Sequence, residues 1–242
     1  MDNDDQLRPS QRLRPPEAGR AQTTWADPEQ SRAACMREER RRDRLEASGL
    51  RGRFRGSSFD NYLTASPAQA AVLAACQRFA AAFDPRAGAG LLMIGSPGTG
   101  KTHLAAAMVR ALIDGDVAAA RLMTAREVIR ELRNTWHRES GRTEQDVVDE
   151  LGGIGLLALD EVGVGFGSEA EQTQLLDVID RRYQLQRPTV VLSNLNLPLL
   201  KRCLGARAFD RLSDGAQVLR LTWSSYRQLA ATSTDDPHME QQ

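Results

Sequence analysis

Residues 95–102 read Gly-Ser-Pro-Gly-Thr-Gly-Lys-Thr, a complete GxxxxGK[ST] pattern that follows an apolar strand and opens a helix. Gly95, Gly98 and Gly100 let the backbone curl tightly, so that the loop, Ser96, Pro97 and Thr99 included, wraps a chain of phosphates with the N–H groups of its non-proline residues. The helix that starts here aims its positive end at the same anion. Lys101 would neutralise the β and γ phosphates of ATP, the Thr102 hydroxyl would ligate Mg²⁺, and His103 continues the nucleotide-contacting run. Lysine occurs only at 101 and 201 in a chain rich in arginine. A lysine inside a glycine loop therefore marks a place that needs a slender point charge.

Such a loop needs an acid delivered by another strand. Residues 156–161, Leu-Leu-Ala-Leu-Asp-Glu, end an apolar run on two carboxylates, and ligands of parallel sheets bind at strand C-termini. Asp160 would hold Mg²⁺, usually through water, and Glu161 would orient and polarise the attacking water. An acidic turn after a strand is the alternative. A strand at 121–124 intervenes between the loop strand and the acid strand. That separation belongs to the additional-strand division of P-loop proteins and not to nucleotide kinases, whose two strands are neighbours. The next strand ends at Asn194, either a polar group reaching toward the γ-phosphate or an ordinary turn residue.

The elements that must position these groups alternate. Helices are expected over 66–84 (Ser66 as cap, Pro67 at the first position), from Gly100 to Ile113, near 125–138 and over 169–186. Strands are expected at 90–95, 121–124, 154–160, 189–194 and 217–223. This alternation predicts an α/β, three-layer fold with a five-stranded parallel sheet. Residues 1–30, with four prolines among polar residues, read as a flexible segment, and 229–242 as a flexible tail. Residues 31–48 read as a solvated helix capped by Ser31, and Gly49, Gly52 and Gly56 as a linker. The arm is basic: residues 32–55 carry nine arginines against four acids. The 242 residues, 41% hydrophobic, suffice for one substantial domain. No apolar run is long enough for a membrane span, the polar start is no signal peptide, and three scattered cysteines form neither a zinc site nor a disulfide framework. A cytoplasmic location is expected.

Together these pieces resemble the DnaC/IstB group of AAA+ ATPases, and within it the DnaC-type loaders of the bacterial replicative helicase, from about Phe59 to Arg227. The resemblance rests on SSFDNY (57–62), GSPGTGKTHLAAA (95–107), LLALDEVGV (156–164), VIDRR (178–182), RPTVVLSNLN (187–196), GARAFDRL (205–212) and WSSYR (223–227). It implies an AAA+ module over 57–228 without a C-terminal lid domain, preceded by a partly helical basic arm over 31–56. It implies ATP hydrolysis with Mg²⁺. Arg211 would be a finger reaching a neighbouring copy's ATP in a homo-oligomer, and Arg227 a second sensor arginine; Arg207 is a further candidate for either role. The arm would grip a DnaB-type helicase, to be loaded on single-stranded DNA. An IstB-like ATPase serving a transposase shares the same core and stays open, and a small-molecule kinase would need a substrate pocket and lid that the sequence does not display.

Residues 125–142 carry five arginines around Trp136. Arg133 and Arg138 beside an aromatic suit single-stranded DNA, whose bases stack and whose phosphates pair with cations. Trp136 also lies four residues beyond Leu132, on the apolar stripe of Val128 and Ile129, which would make it core.

Overall fold

The computed structural model describes residues 28–137, 141–165 and 167–226. The expectations for the two chain ends, and the roles given to Arg138 and Arg227, lie outside these residues. The chain divides into two compact units, Met1–Met36 and Arg37–Gln242. The described part of the first is the opening of helix α1 (Pro28–Ala47), which begins before Ser31. Pro28 sits in its first turn, where a missing N–H is harmless.

In the second unit α1 continues and a 3₁₀ turn (Gly52–Gly56) follows. Then come α2 (Pro67–Ala81), β1 (Leu91–Gly95), α3 (Lys101–Asp114), β2 (Ala120–Thr124), α4 (Ala125–Asn134), α5 (Glu144–Gly153), β3 (Leu156–Asp160), α6 (Glu169–Gln184), β4 (Thr189–Ser193), α7 (Leu197–Leu204), α8 (Ala206–Ser213) and β5 (Gln217–Leu221). The five strands form one parallel sheet in the order β2-β3-β4-β1-β5. Successive strand residues point to opposite faces. Leu156 and Ala158 join α2 and α3 in one core, while Leu157 and Leu159 join α4 to α8 in the other. This is the α/β, three-layer AAA+ P-loop fold.

Three expectations need correction. The strand between the loop strand β1 and the acid strand β3 is β4, not the strand at 121–124, which is β2 at the sheet edge. The two functional strands are still not neighbours, which separates the chain from nucleotide kinases. The helix expected near 125–138 stops at Asn134, and an unforeseen helix, α5, follows it, opened by a capping box in which Thr143 and Asp146 bond each other's backbone N–H. The residues around Gly49 are no free linker. The Leu122 N–H donates to Ser48 O at 2.8 Å, so the arm covers part of the exposed edge of β2. Leu50 is buried, and a Cβ on Gly49, whose φ is +76°, would lie 2.1 Å from Leu122 O. Arg41 and Arg44 pair with Asp114 and Asp116 at 2.8 and 2.5 Å.

Candidate nucleotide site

A cavity of about 470 Å³, in the range of small-molecule sites, opens at the C-terminal ends of β1, β3 and β4. Pro97, Gly98, Thr99, Gly100, Lys101, Thr102 and His103 line it, and so do Asp160, Glu161 and Asn194. The topology explains the convergence. β4 lies between β1 and β3, so the three strand ends carry loop, acids and Asn194 to one rim.

Within the loop, Gly98 and Gly100 have φ of +82° and +94°, a region that glycine alone enters freely. Neither could carry a side chain, since a Cβ would meet Ser225 Oγ at 1.9 Å in the first case and the Tyr62 ring at 2.6 Å in the second. Lys101 is 6% exposed, and its Nζ donates to Gly95 O and Ser96 O at 2.6 and 2.8 Å. Burial pushes its pKa down and the Asp160 carboxylate opposes that shift. An ammonium so desolvated gains strongly from a phosphate oxygen.

The Thr102 hydroxyl donates to Asp160 Oδ2 at 2.7 Å, which joins the first turn of α3 to the end of β3. These two oxygen donors, with no thiolate or imidazole between them, suit a hard cation that also takes phosphate and water ligands. The Glu161 N–H donates to Asp160 Oδ1 at 2.7 Å. Glu161 itself has φ +55° and is exposed to the cavity. A non-glycine residue in the left-handed region is strained, and such strain gathers at functional sites. Asn194, just past β4, is exposed at the same rim.

Four other residues of interest lie away from this lining. Trp136 is 64% exposed, with its indole N–H directed to Glu144 Oε2 at 3.4 Å, and so does not pack in the core. The helix has ended at Asn134, so the four-residue spacing from Leu132 no longer describes one face. Arg133 pairs with Glu171 at 3.1 Å. Arg211 sits on α8, its guanidinium 4.3 Å over the Tyr183 ring and its Nε 3.3 Å from Asp180 Oδ1; Arg207 meets the other oxygen of Asp180 at 2.6 Å.

Residues 32–233 match the family described as IstB-like ATP binding protein. The chain belongs to this family. Among the relatives of this IstB-like chain, the Replicative helicase loader DnaC of Buchnera aphidicola subsp. Acyrthosiphon pisum (strain APS) is 35% identical over 185 residues, 76% of this chain and 74% of that protein. The Replicative helicase loader DnaC of Escherichia coli (strain K12) is 31% identical over 201 residues, 81% of each chain. The crystal structure of the DnaC helicase loader superposes with a TM-score of 0.64 at 23% identity, over 70% of this chain and 99% of that one. At that identity the superposition speaks for the fold.

The IstB-like core brings further residues to the cavity that the spacing of motifs did not indicate. The Tyr62 hydroxyl and the Trp223 indole N–H both donate to Thr99 O, at 3.3 and 3.0 Å. The Tyr226 N–H donates to Gly98 O at 3.0 Å. Arg53, Phe54 and Asn61 complete one wall. His103, expected to touch nucleotide, lines the cavity and also bonds Ser58 O at 3.0 Å, tying α3 to the segment that enters the domain. Burial pushes the Tyr62 hydroxyl pKa up to about 12, so it stays a donor at neutral pH. SSFDNY and WSSYR held the signal: aromatic residues among small polar ones, flanking a module at both ends.

Proposed function

We propose that this chain is an ATP-hydrolysing loader that delivers the replicative DNA helicase to single-stranded DNA, acting in the cytoplasm as an assembly of its own copies. The observation that supports it most is the 2.7 Å contact of Thr102 with Asp160 in one cavity with Lys101 and Glu161. The naming of relatives at 31–35% identity as replicative helicase loaders points the same way.

In this reading the N–H groups of residues 95–102 and Lys101 hold the β and γ phosphates, with Lys101 exchanging its loop carbonyls for phosphate oxygens. Thr102 and Asp160 hold Mg²⁺, which draws charge from the phosphates when bound. Glu161 orients a water and takes its proton as the water attacks the γ-phosphorus, the bond to the β–γ bridging oxygen breaks and ADP leaves with that oxygen's electron pair; Asn194 holds that water or a γ oxygen in line. The wall of Arg53, Phe54 and Asn61 is left for the base. Arg211 lies outside the lining of its own cavity, which favours a role on a neighbouring copy's ATP. Trp136 and Arg133 offer a stacking ring and a cation to single-stranded DNA. Arg227 and the arm over 31–56 take the parts that the family resemblance gives them, second sensor and helicase grip, and Arg138 joins Arg133 as a cation for DNA. Among the described residues no helix is long and apolar enough to cross a membrane.

The resemblance to IstB-like ATPases keeps one second reading, an ATPase serving a transposase. Capture assays separate the two. With ATP present, the full chain should retain the replicative helicase and raise the fraction of helicase bound to single-stranded DNA. Retention of a transposase with no retention of helicase would overturn the loader.

A further inference from the structure

Arg211 is held in an unusual way for a surface cation. α8 packs on α6, and the facing residues of α6 form a dock for its guanidinium. Asp180, with only 16% of its side chain exposed, takes the Nε through Oδ1 at 3.3 Å. The Arg211 guanidinium carbon lies over the Tyr183 ring, 4.3 Å from its centroid, and the Tyr183 hydroxyl donates to Asp214 Oδ2 at 2.9 Å, which restrains the ring. The second oxygen of Asp180 is occupied by Arg207 at 2.6 Å, so the carboxylate cannot swing to another partner without leaving that cation.

The division of contacts matters. Asp180 takes the Nε edge of Arg211 and Tyr183 lies against its guanidinium with a side-chain hydrogen bond of its own, while among the described residues no carboxylate is hydrogen-bonded to the two Nη groups. These are the groups that make paired bonds to phosphate oxygens. An arginine side chain loses much rotamer freedom when it is fixed, and a dock that has already fixed it spares that cost when the phosphate arrives. A dock that masked the arginine would instead occupy the Nη fork.

We propose that Asp180 and Tyr183 are positioning residues for Arg211: they hold its guanidinium extended, with the Nη edge presented to the γ-phosphate of ATP bound by a second copy of this chain. This rests on the trans role proposed above for Arg211. The consequence is a directional requirement. The dock is needed in the copy that donates the arginine and is dispensable in the copy whose ATP is hydrolysed.

Mixing full-length variants tests that direction. Arg211→Ala keeps an intact ATP site without the arginine, and Lys101→Ala keeps the arginine without a working ATP site. Their mixture should turn over ATP. Placing Asp180→Asn in the Lys101→Ala donor should lower that turnover at least tenfold. Placing the same change in the Arg211→Ala acceptor should leave it within twofold. Tyr183→Leu in the donor should lower it similarly, and Tyr183→Phe, which keeps the ring, should recover most of it. If both donors restore equal turnover, Asp180 does not position Arg211. Equal damage in donor and acceptor would mean that Asp180 only supports the fold, and would overturn the proposal as well. If the unmodified pair fails to restore turnover although the variants fold and co-assemble, the trans role of Arg211 falls, and the dock with it.

Discussion

The cavity and the outer surface treat their functional groups in opposite ways. In the cavity the groups beneath the phosphates are already held by their own chain: Lys101 by two loop carbonyls, Thr102 by Asp160, and the Thr99 carbonyl by two aromatic donors. On the outside, Trp136 is 64% exposed with one long polar contact, and Arg211 rests on a single ring and a shared carboxylate. A site that closes within one chain can be built and stabilised by folding alone. Groups that await another molecule keep their contact surfaces free, and folding supplies only their orientation. Damage in the cavity should therefore appear in ATP chemistry of the same chain, and damage outside should appear in DNA binding for Trp136 and in a neighbouring copy's turnover for Arg211, with little change in stability.

Glu161→Gln should break the first half of that contrast most visibly. The amide cannot take a proton from water, and loss of a general base costs ~10²–10⁴-fold in turnover. Nucleotide affinity should hold, because Lys101 and the loop remain. Steady-state turnover with parallel binding isotherms checks this; turnover within twofold of wild type would move the base to another group. Trp136→Ala probes the outside. Stacking of a base on the indole is worth ~1–3 kcal/mol, so single-stranded DNA should bind more weakly by that amount while Tm stays put, since the ring buries little. A lowered Tm with unchanged DNA affinity would reverse the assignment. Trp223→Phe is the finest test. It removes one of the two donors on Thr99 O, a hydrogen bond worth ~0.5–1.5 kcal/mol. ATP affinity should fall severalfold at most, and further when Tyr62→Phe is added. An unchanged affinity in the double variant would show that the loop keeps its shape without these donors.

The residues of the loop, Asp160, Glu161 and Asn194 were legible because their signals are local. A glycine pattern, or an acid at the end of an apolar run, encodes its own backbone geometry. The alternation of Leu156, Leu157, Ala158 and Leu159 between two cores likewise follows from the two-residue period of a strand. α5 is hidden in the sequence although Thr143 and Asp146 spell out a capping box, because the arginine-rich stretch before it runs on without a break in composition. Leu132 and Trp136 misled for a related reason: helical spacing carries information only as far as the helix runs, and this one ends at Asn134.

The sequence by itself determined that strands and helices alternate, that one loop can cradle phosphates and that two acids follow the third strand in the chain. Those are consequences of backbone preferences and side-chain periodicity over a few neighbouring residues. Only the tertiary structure decided that β4 stands between β1 and β3, that Trp223 crosses 124 positions to bond the loop it supports, that Ser48 covers part of the edge of β2, and that Asp180 and Tyr183 cradle Arg211. Each of these depends on which apolar faces bury against each other across the whole chain, and that choice is made by the summed packing of distant segments rather than by the conformational preference of any one of them.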